Sequence, residues 1–326
     1  MTSNHNVQAQ EFDYDIAGFG ESMVMFAALD SGDLDKVIRF ERSIAGADSN
    51  VAAGLSRLGF RILWYSRVGN DSLGRFILNS LSQEGIDISQ VKVCDDAPTG
   101  WQMKERRDDG SDPWVEYFRK GSAASTMCAD DLSDALLRSR HLHVTGIPPA
   151  ISASTCEMSH AAVKRMRDAG RGISFDTNLR PGLWPNQATM VTEINKLATN
   201  ADWVLPGLEE GTILTGETTP EGVADYYLER GSSEVVVKMG GAGSYYKNSE
   251  GLSFEQPTLP VATVFDTVGA GDGFATGFIS ARLEGLSPQQ SMLRGAFIGA
   301  RQVQVAGDSA GLPYRKDLAE LDTLSQ

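Results

Sequence analysis

Cysteine is scarce in this sequence. Cys94, Cys128 and Cys156 are the only three among 326 residues, and no two of them form a C-x-x-C pair. That spacing argues against a disulfide framework and a thiolate zinc site, and fits a chain kept in a reducing cytoplasm. Histidine is nearly as sparse: His5, His141, His143 and His160 show no zinc-ligand spacing with acids or cysteines, so they read as structural or surface residues. Long apolar runs are missing too, which leaves no segment fit to span a bilayer and no membrane partner to expect. Residues 1–12 lack the basic start and apolar stretch of a signal peptide and read as a flexible tail. Basic charge is in deficit, with 29 Lys and Arg against 43 Asp and Glu and a net charge of −14. Such a surface repels a phosphate backbone, so nucleic acid is not an expected partner. An anionic ligand then needs a local cluster of cations or backbone amides.

From Asp15 onward, short apolar runs alternate with helical patterns at the spacing of repeated βα units. The alternation predicts an α/β fold, a doubly wound, mostly parallel sheet with helices on both faces. The expected strands are residues 15–20, 61–68, 141–146, 172–176, 202–205 and 234–239. Asp48-Ser49-Asn50 followed by Val51, Leu55, Leu58 and Gly59 predicts a capped helix; Asp71 predicts the cap of a second, starting at Ser72 and followed by Gly85. Two regions break the rhythm, about 23–42 and 91–124, where alternating patches at 100–104 and 114–119 predict exposed strands. They predict a small β-strand lid inserted into a single domain over residues 13–326.

The densest chemical signal is Asp266-Thr267-Val268-Gly269-Ala270-Gly271-Asp272-Gly273-Phe274. Small residues leading into a helix leave free backbone N–H groups at its N-terminus, where an anion can approach the bare backbone. A carboxylate in the same turn, Asp272, is placed to take a proton from a hydroxyl as charge builds on a transferred phosphoryl group. On its own the run is equally a tight turn with Asp272 as a helix cap.

The run fills every fixed position of D-T-x-G-A-G-D, the signature of the ribokinase-like (PfkB-type) carbohydrate kinases, which the chain resembles. That resemblance implies the ribokinase-like fold and phosphoryl transfer to an alcohol, with ATP and Mg²⁺ as cofactors. It also implies Asp272 as catalytic base beside an anion hole of Gly269, Ala270 and Gly271. The segment Ala45-Gly46-Ala47-Asp48-Ser49-Asn50-Val51-Ala52 resembles the family's G-G-x-x-x-N-x-A, with Ala45 in place of the first glycine. Gly46 lets a ligand approach the backbone, and Asn50 offers a donor and an acceptor to sugar hydroxyls. Standing alone, this segment is an ordinary helix start.

One branch, the 2-keto-3-deoxygluconate kinases, is similar in further places: Gly20-Glu21-Ser22-Met23, Tyr117-Phe118-Arg119-Lys120-Gly121-Ser122-Ala123, Asp176-Thr177-Asn178-Leu179-Arg180 and Gly307-Asp308-Ser309-Ala310-Gly311-Leu312-Pro313. The resemblance implies substrate contacts from Tyr117, Arg119, Asn178 and Arg180, with Gln102 where the branch places a Tyr. Two arginines in an acidic chain suit a forked grip on a carboxylate, although each is equally suited to a structural ion pair. The implied reaction is phosphorylation of 2-keto-3-deoxygluconate at its C6 hydroxyl. Rivals are a kinase of a neutral sugar or nucleoside, and a non-catalytic sugar-acid sensor on the same fold.

For the nucleotide, Leu205-Pro206-Gly207-Leu208-Glu209-Glu210 resembles the family's N-x-x-E, whose Glu organises Mg²⁺ through water; here Gly207 stands at the Asn position and Glu210 keeps the acid. No direct metal ligand is visible. Lys238, Gly240 and Gly243 belong to a stretch that lacks G-x-G-x-x-G spacing and reads as a hairpin turn near the nucleotide. With no Walker A run, phosphate binding rests on Gly269, Gly271 and their neighbours. A monovalent cation stays open. A homo-oligomer is expected, with exposed lid strand edges as the pairing surface.

Overall fold

The computed structural model describes residues 12–107, 113–305 and 307–324. The tail expected over 1–12 lies, but for its last residue, outside the described residues. In chain order the strands are β1 (Tyr14–Phe19), β2 (Met23–Ala28), β3 (Phe40–Ala45), β4 (Ile62–Gly69), β5 (Asp87–Cys94), β6 (Trp101–Lys104) and β7 (Val115–Phe118). They continue as β8 (Ser139–Thr145), β9 (Gly172–Asp176), β10 (Trp203–Val204), β11 (Glu234–Lys238), β12 (Ser244–Asn248) and β13 (Ser253–Gln256). The helices are α1 (Ala47–Arg57), α2 (Ser72–Gln83), α3 (Pro148–Ile151), α4 (Ala153–Asp168), α5 (Gln187–Ala198), α6 (Leu208–Thr215), α7 (Pro220–Leu228), α8 (Ala270–Leu283), α9 (Pro288–Gln302) and α10 (Ala319–Leu324).

Each of the six strands expected from the apolar runs is present, as β1, β4, β8, β9, β10 and β11. They lie in one sheet of order β13-β12-β11-β10-β9-β8-β1-β4-β5, parallel from β11 to β5, with β12 and β13 added antiparallel at one edge. A parallel sheet must be covered on both faces, and here it is. Met158 of α4, Ile194 of α5 and Val223 of α7 close one core with Leu142 and Phe175. Val51 of α1, Ile77 of α2, Phe278 of α8 and Met292 of α9 close the other with Ile62 and Trp64. This is the ribokinase-like α/β architecture.

The second sheet is the lid, of order β3-β2-β6-β7. Its Trp101 stacks on Phe118 at 3.9 Å and meets the edge of Phe26, while Gln102 pairs across to Tyr117 on the opposite face. The lid segment expected from residue 91 starts later than that. Val91 and Val93 belong to β5 and pair with β4 in the main sheet, because Ile88 and Val91 pack onto the second core.

Asp71 caps α2 as expected, its Oδ1 accepting the N–H of Gly74 at 2.7 Å. At α1 the expected cap fails. The N-cap is Gly46, no side chain caps the helix, and Asp48 lies buried in the first turn with its Oδ1 accepting the N–H of Thr145 at 3.2 Å.

Candidate active site

The start of α8 organises the site. Gly269 holds φ 81 as the N-cap, and a Cβ there would come within 2.4 Å of the Asp308 carbonyl oxygen, so only glycine fits this turn. The first intrahelical bond runs from Gly273 N–H to Gly269 O at 2.9 Å. Of the amides before it, Ala270 N–H turns back to Thr267 O at 3.3 Å, which leaves those of Gly271 and Asp272 at the positive end of the helix. Ala270 was expected to add its amide to an anion hole; here the turn itself uses that N–H.

Asp272, in that first turn, is buried, and its Oδ2 accepts Nδ2 of Asn50 at 2.8 Å. Asn50 reaches it because α1 starts close against the chain: a Cβ on Gly46, which holds φ 146, would sit 2.5 Å from the Glu21 carbonyl oxygen. Burial pushes the Asp272 carboxyl up to about 6 against the lowering effect of the Asn50 bond; Asp176 and Asp308 add to the rise and Lys238 opposes it. A carboxylate in this range holds a proton only weakly at neutral pH and is well placed to accept one.

Lys238, at the end of β11, pairs with Asp176 Oδ2 at 2.5 Å. Its Nζ is also 3.6 Å from where a Cβ on Gly271 would sit. Burial works against its charge, but Asp176 and Glu210 outweigh that and raise its pKa. The Lys238 ammonium, paired with Asp176, thus lies beside two amides that have no partner among the described residues, an arrangement that could receive an anion.

Two cavities meet at this turn. The larger, about 910 Å³, lies between the lid and the C-terminal ends of the main strands, with Asp272 in its wall. The smaller, about 430 Å³, runs between α8, α9 and the β11–β12 hairpin and is lined by apolar Leu259, Val261, Val264, Phe274 and Val303. Lys238, Gly240, Thr267 and Gly271 line both. Gly46, Asn50, Gln102, Tyr117, Arg119, Asn178, Arg180, Glu210, Gly269 and Asp272 line the larger; Ala270 and Gly243 line the smaller. Each site residue expected from the sequence therefore lines one of the two.

Their states differ from one another. Tyr117 stands half exposed on the lid opposite Gln102. Asn178 takes φ 32, a conformation Asn tolerates, and its N–H donates to Asp176 Oδ1 at 3.3 Å, turning the chain after β9 so that residues 178 and 180 line the cavity. The two arginines are not equivalent. Arg119 is part-buried against the buried Glu21, Nη2 to Oε2 2.5 Å, and Ser122 Oγ donates to the other Glu21 oxygen at 2.5 Å. Arg180 is exposed and gives Nη1 to its neighbour Leu179 O at 2.9 Å. Among the described residues it closes no ion pair, although its charge acts to lower the pKa of Asp308.

Glu210 is more engaged than a solvated helix-start acid. Its Oε2 accepts Gly207 N–H at 2.9 Å and Thr177 Oγ1 at 2.6 Å, and its Oε1 accepts Leu179 N–H at 2.6 Å. Lys238 and these donors outweigh burial and hold its carboxyl below the usual range. With both oxygens committed, Glu210 fits contact to a hydrated Mg²⁺ better than direct coordination. The histidine reading needs one correction. Cys156 and His160, one turn apart on α4, and Glu193 on α5 bring donor atoms within 4.8 Å of one another. Glu193 is already taken up there by His160 at 2.7 Å and Lys196 at 2.8 Å, and these residues line neither cavity.

Sequence reasoning missed Lys104, which shares the cavity face of β6 with Gln102 by strand alternation, and Asp308, which meets it from far along the chain. It also missed Glu21 as the partner of Arg119 and the apolar cleft, whose walls come from 257–264 and 296–303 with no local pattern to join them.

The sequence profile of the pfkB family carbohydrate kinases matches residues 14–315. The 2-dehydro-3-deoxygluconokinase of Bacillus subtilis (strain 168) is 53% identical over 307 residues, covering 94% of both chains. That of Thermoproteus tenax is 34% identical over 310 residues, covering 94% of this chain and 93% of the relative. The crystal structure of a PfkB protein from Polaromonas sp. JS666 superposes with a TM-score of 0.87 at 49% identity, over 94% of this chain and 99% of the other. Matched nearly end to end in profile, sequence and fold, this chain belongs to the pfkB family of carbohydrate kinases.

Proposed function

We propose that this chain transfers the γ-phosphate of ATP to the C6 hydroxyl of 2-keto-3-deoxygluconate, giving the 6-phosphate. The observation that carries the chemistry is the buried Asn50–Asp272 pair beside the free amides of Gly271 and Asp272, where the two cavities meet. The acceptor lies in the larger cavity under the lid, its carboxylate toward Arg180, and adenine fills the apolar cleft behind α8. Asp272 takes the proton of the hydroxyl as its oxygen bonds to the γ-phosphorus; the bond to the bridging oxygen breaks, and ADP leaves with that electron pair. Lys238 and the two amides face the charge that builds on the phosphoryl oxygens. Glu210 would hold the water shell of an Mg²⁺ carried on the phosphates, and the ion would supply neutralisation of their charge.

Support for a sugar acid comes from Arg180, without a carboxylate partner among the described residues, and from the two 2-dehydro-3-deoxygluconokinase relatives, 2-dehydro being the same group as 2-keto. One observation favours a second reading, a neutral acceptor: the Glu21–Arg119 pair cancels one of the two cations expected to hold a carboxylate. Kinetics of Arg180→Ala separate the two. On the sugar-acid reading its KM for 2-keto-3-deoxygluconate rises about 30-fold or more with little change for a neutral sugar, as loss of a charge-assisted fork predicts; equal change on both removes the carboxylate role.

We further propose a homo-oligomer paired through the lid, where Trp114 and Phe118 are exposed near the edge strand β7. The three free cysteines support a cytoplasmic setting.

A further inference from the structure

Lys104 ends β6 on the cavity face of the lid, and its side chain is almost wholly buried. Its Nζ lies 2.5 Å from Asp266 Oδ2 and 3.3 Å from Asp308 Oδ1. Neither acid belongs to the lid. Asp266 opens the run into α8 and uses its Oδ1 to accept Val268 N–H at 3.0 Å, three residues ahead of the free amides. Asp308 lies in the C-terminal segment whose carbonyl oxygen presses on Gly269, the residue that sets the turn.

One ammonium thus ties three distant parts of the chain together where the transferred phosphoryl group must be held. Two of its three protons are already directed at carboxylates. Burial disfavours its charge, yet Asp308 and Asp266 together raise its pKa, so the ion is kept. Asp308 is raised in turn by burial, against the pull of Lys104. Removing the ammonium would leave two buried carboxylates facing each other across an empty space, an arrangement that must repel, take up protons or admit another cation.

We propose that Lys104 is a positioning residue for phosphoryl transfer: as the cation between Asp266 and Asp308 it locks the lid sheet to the loop presenting the Gly271 and Asp272 amides. The lid carries Gln102 and Tyr117 over the acceptor, so this lock sets the acceptor hydroxyl in register with the anion turn. The inference rests on the kinase reading above and adds to it the device that aligns its two halves.

The test is steady-state kinetics of the full chain carrying Lys104→Ala, with 2-keto-3-deoxygluconate and MgATP, after a melting curve has shown that the variant folds. Misplacement of the turn predicts a fall in kcat of about 100-fold while the KM for the acceptor holds. Methylammonium chloride, which fits the vacated ion site and restores N–H donors, recovers kcat; tetramethylammonium chloride at equal ionic strength, larger and without N–H groups, does not. Wild-type kcat in the variant, a loss confined to the acceptor KM, or a loss that no amine repairs would each overturn the proposal. If Lys104→Ala does not fold, the variant Lys104→Met with Asp266→Asn and Asp308→Asn leaves no charge within this cluster. It is predicted to fold and lose kcat at unchanged acceptor KM, and wild-type kcat there overturns the lock. A wild-type enzyme silent on this acceptor would count against the substrate reading instead, and the same comparison then runs on whichever acceptor it phosphorylates.

Discussion

Two influences on Asp272 act in opposite directions: burial raises its pKa, and the bond from Asn50 Nδ2 stabilises the ionised form. Asp272→Asn keeps the size and the bond geometry but removes the base, so kcat should fall about a thousandfold while acceptor binding, followed by calorimetry, persists. Near-normal turnover would remove Asp272 as the base. The base must be ionised to act. The acid limb of kcat/KM in the wild type should therefore have a midpoint at about 6 and fall away as pH drops below it.

Asp48 makes a separate test at the same scale. Burial pushes its carboxyl up to about 7, with Asp272 adding to the rise against the Thr145 bond. A folded-state pKa above the unfolded one favours the protonated form, so its contribution to stability is present at acid pH and is lost as pH rises through about 7. Asp48→Asn should thus melt higher than wild type at pH 8, by about 3 °C or more, and by less at pH 5. A difference independent of pH would place the strain elsewhere. The sequence alone suggested Asp48 as a helix cap; what it could not reveal is that Gly46 takes the cap and turns Asp48 inward. That Asp272 and Asn50 line the same cavity was legible because each stands in a dense local motif. The state of Arg119 was not, since the Glu21 that neutralises it lies far away in the chain and no local pattern joins them.

Among the elements, the amide turn at the head of α8 depends on one backbone conformation. Gly269→Ala puts a side chain on φ 81 and within 2.4 Å of Asp308 O. The turn must shift, so the KM for MgATP should rise and kcat should fall by about tenfold or more. An Ala variant with wild-type values for both would show that the turn does not hold phosphate. The main strands were readable from short apolar runs, dense in β4 and reduced in β8 and β9 to the alternating Leu142 and Val144, and Ile173 and Phe175, with buried polar residues between them. The lid boundary was harder. Strand β5 is short of fully buried positions and reads like the exposed lid strands after it, and only its pairing with β4 assigns it to the main sheet. Lys104 needed the β6–β7 pairing as well as α8 in place before its two acids came into view.

At the scale of the whole molecule, a net charge of −14 surrounds the site proposed to receive two anionic ligands. Cations are concentrated where they are needed: Lys238 by the amides, Lys104 between its two acids, and Arg180 at the cavity wall. Acids stand beside them, Asp176 on Lys238 and Asp266 and Asp308 on Lys104, so an anion would be met by placed donors and not by net positive charge. The most direct measurement is coupled ADP release by the purified full chain with MgATP across 2-keto-3-deoxygluconate, its galactonate epimer, gluconate, fructose, ribose and a nucleoside. The account predicts that kcat/KM for the two 2-keto-3-deoxy acids exceeds that for every neutral acceptor by about 100-fold or more, in keeping with a site whose charged group is left unpaired by the wrong ligand. A neutral sugar or nucleoside turned over as well as the keto acids, or silence on the whole panel, would contradict it.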